Sequence, residues 1–437
     1  MTENTNFIEK FFKLKEHGTN ISTEILAGFT TFMTMAYILI VNPLTLADAG
    51  MDFGAVFTAT VIASLFATLI MALYANLPFA LAPGMGLNAF FAYSVVITMG
   101  YSWQLALTAV FVEGLIFIAL TFFGIREAIV DCIPLNIKKA ISVGIGLFIA
   151  FIGLFNSGIL VKGAADTVPM GLGDIVHSPT AIVAILGIII TGILLALDVK
   201  GAIFLGILIS TVISMFLGVT AFPDKLASMP AAPNFWAFEF DKILTPEFWT
   251  IVVTFLFVDL FDTIGTLVGV ATKADMLDEN GKVPNVNKAL LADALGTTFG
   301  AMVGTSTVTT YVESAAGVAQ GGRTGLTSLV VAGLFFVALF LSPLFLMIPA
   351  AATAPALVIV GLFMMSPIQE IDLHDFTEAI PAFLTVIMMP LTYSIAEGIV
   401  FGITSYVLLK LLTGRYKEVP IFTYIVAVLF VIKTIFG

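Results

Sequence analysis

Apolar runs long enough to cross roughly 30 Å of hydrocarbon recur from one end of this 437-residue chain to the other. They fall at about residues 24–42, 55–75, 82–98, 103–123, 137–158, 180–197 and 201–219. After a wet, proline-containing stretch over 222–247, they resume at about 249–271, 288–304, 308–320, 325–348, 351–365, 378–392, 394–412 and 418–436. In lipid each crossing must satisfy its own backbone polar groups, and a helix does so within one segment. A membrane β-barrel would show short alternating segments, whereas these runs are continuous. The sequence therefore predicts an all-α polytopic membrane protein. Charged residues make up only 11% of it, against about 25% in a soluble domain. So few basic groups give no footing for nucleic acid.

The basic residues set the expected topology. The polar stretch 1–20 carries Lys10, Lys13 and Lys15 ahead of the first apolar run, which reads as a retained first span with a cytoplasmic N-terminus. Arg126, Lys138, Lys139, Lys200, Lys273, Lys282, Lys288, Lys410, Arg415 and Lys417 all fall on that side if each segment crosses once. Lys162, Lys225 and Lys242 fall outside, among Asp166, Asp174, Asp224, Glu239 and Asp241. The last segment then ends outside if it crosses, or lies along the interface if it does not.

The segments also repeat. Residues 133–153 (IPLNIKKAISVGIGLFIAFIG) resemble 348–368, and 198–219 (DVKGAIFLGILISTVISMFLGV) resemble 394–414. Two halves of seven segments follow, and an odd number of crossings inverts one half relative to the other. Inverted repeats are a common architecture of secondary transporters.

Two segments are not ordinary spans. Residues 78–94 read PFALAPGMGLNAFFAYS, with Pro83, Gly84 and Gly86 interrupting a helix ahead of Asn88. Residues 304–325 read GTSTVTTYVESAAGVAQGGRTG, a hydroxyl-rich stretch ahead of Glu313. They occupy matching places in the two halves. Discontinuous helices that expose backbone donors near the membrane centre have this signature. Close packing through small residues is the plainer reading, and it leaves the Pro-Gly break unexplained.

Carboxylates inside apolar segments are the next signal, because a charge at the bilayer centre needs a partner, a wet cavity or a proton. Asp259 and Asp262 stand within FVDLFDTIGTLVGVA at 257–271, three apart and able to share a helix face, with Thr266 four residues beyond Asp262. Asp259 also reads as a tie between two helices. Glu113 and Glu397 have a buried structural hydrogen bond as their plainer reading. Arg323 and Lys273, at segment ends, read as headgroup anchors or as markers of the cytoplasmic side. His17, His177 and His374 lie in loops with no metal-ligand spacing, and the single Cys132 forms no intramolecular disulfide. No cofactor is called for. No GxxxxGK[ST] motif is present, so energy comes from a gradient or transport is passive. Unlike carboxylates at matched breaks favour a carrier over a channel, a membrane enzyme or a purely structural protein.

With GFTTFMTMAYILIVNP at 28–43, APGMGLNAFFAY at 82–93, DLFDTIGTLVGV at 259–270 and the 304–325 stretch, the chain resembles the adenine/guanine/hypoxanthine permease branch of the xanthine–uracil (nucleobase–cation symporter) superfamily, over about residues 15–412. The resemblance implies 14 transmembrane segments in two inverted seven-segment repeats. Segments 3 and 10 are each a short strand followed by a short helix. A core domain comprises 15–130 and 248–348; a gate domain, which often dimerises, comprises 131–220 and 349–437. It implies a base bound by one acid from segment 8 and one from segment 10, here Asp262 and Glu313, with Asn88 near the base. Where uracil–xanthine members carry histidine four residues after the first acid, this chain has Thr266. Where they carry Asn or Gln after the second acid, it has Ser314. Both departures fit the purine branch.

A neutral purine offers N–H donors to carboxylates and ring nitrogens to backbone amides. Asp262 and Glu313 are therefore the expected base ligands. Gly86 and the backbones of 84–87 and 305–312 complete the rim, and Phe90, Phe91 and Tyr311 are candidate stacking groups. Either acid is a candidate proton carrier, with Asp262 favoured for the proton and Glu313 for the base. The family implies a coupled cation, usually a proton, and no residue discriminates it from sodium. The expected partners are thus a purine nucleobase, a proton and membrane lipid. Uracil, xanthine, ascorbate, sulfate or bicarbonate remain rival cargoes on the same fold, though an anion site would avoid two carboxylates.

Overall fold

The computed structural model describes residues 7–123, 134–163, 170–223, 225–273, 276, 283–421, 423–424, 427–428 and 431. Arg126, Cys132, Asp166, Asp224, Lys282 and most of the expected segment 418–436 lie outside the described residues. Among the described residues seven helices are long and apolar enough to cross a membrane, the first being Ile21–Asp48 and the last Ala350–Glu370. The protein is an all-α polytopic membrane protein.

The first apolar run, read from sequence as one span, is two helices, α1 (Ile21–Met35) and α2 (Ile38–Asp48). At the joint, Leu39 and Ile40 bond three residues back, to Ala36 and Tyr37, which tightens the turn. Pro43 within α2 lacks the N–H that would continue the ladder. The joint turns Tyr37 into the protein, where it is 1% exposed.

Helix α3 (Phe53–Ile70) leads to strand β1 (Leu81–Pro83) and the short helix α4 (Met85–Ala89), which runs on as π-helical turns over Phe90–Thr98. Then come α5 (Trp103–Phe123), α6 (Leu135–Asn156), a small hairpin of β2 (Leu160–Lys162) and β3 (Met170–Leu172), α7 (Pro179–Ala196) and α8 (Ala202–Phe216). The second half opens with α9 (Pro246–Lys273) and α10 (Val286–Val303), followed by β4 (Val308–Thr310) and the short helix α11 (Ser314–Ala319). It closes with α12 (Gly325–Ala338), α13 (Ala350–Met364), α14 (Phe376–Thr392) and α15 (Ile395–Leu412). Strand followed by short helix thus occurs at both places the sequence marks as broken.

The helices pack in two sets. In one, α1 and α3 hold α12, α3 and α5 hold α10, and α9 lies on α5. In the other, α6 holds α13 and α14, α7 lies between α8 and α13, and α14 pairs with α15. Where α6 crosses α13, a Cβ on Gly146 would come within 2.5 Å of the Gly361 carbonyl oxygen, and one on Gly361 within 2.4 Å of the Gly146 oxygen. Only glycines permit that approach.

The seam between the sets differs at its two ends. One end holds a cavity, described below. At the other, the Tyr93 hydroxyl donates to Asp48 Oδ2 (2.7 Å), and Asn156 Nδ2 from α6 donates to both (3.2 Å to Asp48 Oδ2, 3.1 Å to Tyr93 Oη). Nearby, Ile395 N–H donates to Ser94 Oγ (3.2 Å), and Thr98 Oγ1 donates to the Tyr393 carbonyl (3.3 Å). The Tyr393 ring meets Tyr93 and Phe148 edge-on at 5.8 and 5.5 Å.

Candidate functional site

The two broken segments meet. β1 and β4 pair antiparallel, with Leu81 opposite Thr310, Ala82 opposite Thr309 and Pro83 opposite Val308. Gly84 N–H to Thr307 O (3.0 Å) and Tyr311 N–H to Ala80 O (2.9 Å) extend the ladder. A two-stranded ribbon inside a helical protein leaves outer backbone groups that must find partners. The Thr68 hydroxyl takes both polar groups of Leu81, Ser314 Oγ accepts from Ala80 N–H at 3.0 Å, and Ser328 Oγ donates to the carbonyls of Leu77 and Phe79.

The hydroxyl-rich run before Glu313 has the same logic. Thr305 accepts from Asn42 (2.9 Å), Ser306 donates to Asn88 Oδ1, and Thr307 donates to Glu113 Oε2 (2.9 Å). Thr309 Oγ1 lies 2.7 Å from Thr263 Oγ1, itself 3.1 Å from Asp259 Oδ1 and 3.0 Å from Asp293 Oδ1. Successive side chains of the run therefore bind it to α2, α4, α5 and α9.

A cavity of about 980 Å³ opens beside this ribbon, in the seam between the helix sets. Asp262 and Thr266 of α9, Glu313, and Gly86 of α4 line it on one side; Ile145 of α6 and Met364 of α13 line it on the other. Its wall runs out to Lys138, Lys139 and Lys200. Among the described residues no protein donor reaches the Asp262 carboxylate, which lies 3.4 Å from where a Cβ on Gly84 would stand. Glu313 Oε1 accepts from the Tyr37 hydroxyl at 2.6 Å. The cavity thus presents two acidic groups, one without a side-chain donor among the described residues and one held by Tyr37, in a wall that is otherwise mostly apolar. Sites for small organic solutes commonly have this make-up, an apolar lining with a few placed polar groups.

The Permease family model (Xan_ur_permease) matches residues 22–401. The chain belongs to this family of xanthine–uracil permeases. It is 45% identical to "Guanine/hypoxanthine permease PbuO" of Bacillus subtilis, over 97% of this chain and 99% of that one. It is 43% identical to "Adenine permease AdeQ" of Escherichia coli, over 98% and 96%. Among solved structures, the transmembrane domain of a cyanobacterial bicarbonate transporter, BicA, superposes with a TM-score of 0.69, covering 86% of this chain and 97% of that one at 16% identity. That likeness shows the fold. The permease is a secondary transporter rather than an enzyme.

Within the permease, four of the sequence-derived site residues share the cavity: Asp262, Thr266, Glu313 and Gly86. The other four stand behind its wall. Asn88 is fully buried and accepts from Ser306; Phe90 packs edge-on against Phe255 at 4.7 Å; the Tyr311 hydroxyl donates to the Pro83 carbonyl; Ser314 serves Ala80. Phe91 is fully buried too. Asp259 does not share the cavity face with Asp262: Thr263 links it to Asp293, tying α9 to α10. Glu113 likewise takes a buried structural hydrogen bond. Arg323 donates Nη1 to the carbonyls of Val318 (2.7 Å) and Gly322 (2.8 Å) at the end of α11. Sequence reasoning missed Tyr37, and also Thr34, which lines the cavity. The available signal was a tyrosine in the middle of an apolar span, within MAYILIVNP.

Proposed function

We propose that the permease imports purine nucleobases (hypoxanthine, adenine and guanine) together with protons. The observation that carries this reading is the pair Asp262 and Glu313 on one cavity wall, with Asp262 lacking a protein donor. An anionic cargo would meet two acids there, whereas a neutral base supplies N–H groups to both. This separates the permease from an anion carrier of the same fold. The names of the two relatives support the cargo class, and their nearly equal identities to this chain do not choose among the bases.

Asp262 carries the proton and Glu313 the principal contact to the base, with Thr266 and the Gly86 backbone beside them. Asn88, Phe90, Tyr311 and Ser314 act from behind by fixing the ribbon. The fourteen segments form two inverted repeats of seven. Residues 15–130 with 248–348 form a core domain that carries the base, and residues 131–220 with 349–437 form the gate against which it moves. Lys138, Lys139 and Lys200 at the cavity wall are the side that faces the cytoplasm under the positive-inside rule, together with the N-terminus. The cavity is then open inward.

Uptake of radiolabelled hypoxanthine, adenine and guanine into proteoliposomes tests this, under imposed proton or sodium gradients. Saturable uptake driven by the proton gradient and lost in D262N and E313Q is expected. No uptake of any purine by folded protein under either gradient would remove the cargo assignment.

A further inference from the structure

The Tyr37 hydroxyl has one proton to give and, among the described residues, one acceptor, Glu313 Oε1 at 2.6 Å. Tyr37 is 1% exposed, so if this bond is not made a buried donor is orphaned, at a cost of about 1–3 kcal/mol. The bond is therefore directional, and Oε1 is kept as an acceptor. A carboxyl group has two oxygens, and a proton arriving at Glu313 must bind the other one, Oε2. No other side chain among the described residues donates to this carboxylate, so Oε2 is the oxygen a ligand can reach.

We propose that Tyr37 is a positioning residue that makes Oε2 of Glu313 at once the proton-binding atom and the base-contacting atom. The inference rests on the purine–proton reading. Its consequence is that protonation turns the ligand-facing oxygen from an acceptor into a donor. The co-transported proton stays on Asp262, and a base held through its N–H needs Glu313 ionised, so a proton on Oε2 of Glu313 excludes the base through one atom. Without Tyr37 the ionised form loses its donor, the proton binds Glu313 more readily, and at low pH the competition strengthens. Tyr37 stands at the joint between α1 and α2.

The charged and titratable groups around Glu313 are few. Tyr37 comes from the α1–α2 joint, Tyr311 from the end of β4, and Asp262 from α9. Across the cavity stand Lys138 and Lys139 of α6 and Asp198 and Lys200 of the α7–α8 turn. Only Tyr37 makes a side-chain hydrogen bond to the Glu313 carboxylate among the described residues.

The test is an infrared titration of the full-length protein in proteoliposomes, paired with uptake. The carbonyl band of protonated Glu313 is identified by its loss in E313Q. In Y37F its midpoint is expected to move to higher pH by about one unit, because the ionised form loses a donor. With 3-fluorotyrosine incorporated at position 37, a stronger donor of the same shape, it should move to lower pH. The half-saturating concentration of the transported base in Y37F should rise roughly tenfold at pH 6 and much less at pH 8, with maximal rate little changed. A midpoint that is the same in wild type, Y37F and the fluorotyrosine protein overturns the proposal, as does the absence of any Glu313 band at every pH. A band that shifts as expected in a protein that takes up no purine leaves the positioning role standing and removes the cargo reading.

Discussion

The two ends of the seam between the helix sets are built differently. At the cavity end, among the described residues, no hydrogen-bond donor reaches Asp262 and Glu313 has one side-chain donor, Tyr37. At the opposite end, Asp48, Tyr93 and Asn156 satisfy one another, and Ser94 and Thr98 bond backbone groups at 395 and 393. One end keeps hydrogen-bonding capacity in reserve for a guest; the other spends it on closure. The closing contacts are side-chain and backbone hydrogen bonds with edge-on aromatic rings, and no Lys or Arg takes part in them. A typical hydrogen bond contributes only about 0.5–1.5 kcal/mol net, because water replaces it readily. A seal of that kind opens at modest cost, as alternating access requires.

The largest test of the contrast lies at the cavity end. Replacing either acid by its amide removes a charge-assisted bond of about 1.5–3 kcal/mol. In E313Q and D262N the initial rate of base uptake should fall by roughly ten- to 150-fold, while thermal unfolding stays close to wild type. Comparable loss of stability in both would mean that the acids hold the fold rather than the cargo.

At the closed end a smaller effect is expected. Asn156→Ala removes the donor that links α6 to both Asp48 and Tyr93. In a background with Cys132→Ser and the cavity-lining Ile145→Cys, labelling by a membrane-impermeant maleimide from outside should quicken by about two- to tenfold, the equivalent of about 0.5–1.5 kcal/mol. Unchanged labelling breaks the idea that this cluster is the seal.

A third substitution touches neither end. Thr307→Val deprives Glu113 of its hydroxyl donor within the ribbon. It should lower stability by about 1–3 kcal/mol, read as a fall in the thermal midpoint, and should leave the accessibility of both ends in their wild-type ratio.

The smallest effect is expected outside the membrane. Arg415 and its neighbours hold the Asp375 carboxyl well below its usual range, and Arg415 with Lys410 holds Glu418 at about 2. A depressed carboxyl contributes stability that is present above its unfolded value, near 4, and is lost as pH falls through the folded one. The difference in thermal midpoint between E418Q and wild type should therefore be flat from pH 8 to 5 and shrink below pH 4. A difference that varied between pH 8 and 6 would point to another group.

What was legible in the sequence was the part that depends on spacing and on chemical cost. Asp262 and Thr266 are four apart on one helix, and both reach the cavity. Pro83 and Gly84 cannot continue a lipid-facing helix, and the hydroxyls before Glu313 have no place in one. What was not legible depends on pairing across the two halves. Asn88 is claimed by Ser306, 218 residues away, and Tyr311 by Pro83, 228 residues away. A polar side chain beside a break looks the same in sequence whether it faces the solute or braces the ribbon. Tyr37 was hidden for a related reason, because its role exists only where Glu313 lies opposite.

The pairing of Leu81 with Thr310 also has a cost in time. The two strands are separated by 227 residues, from position 81 to position 308. At ribosomal speeds of roughly 5–20 residues per second, about 10–45 s pass between the emergence of one strand and the other. Throughout that interval the first strand sits in or near the membrane without its native partner. The carrier's centre is therefore among the last places to be completed, and a truncated chain ending before residue 308 would leave that strand's edge open for whatever neighbour arrives first.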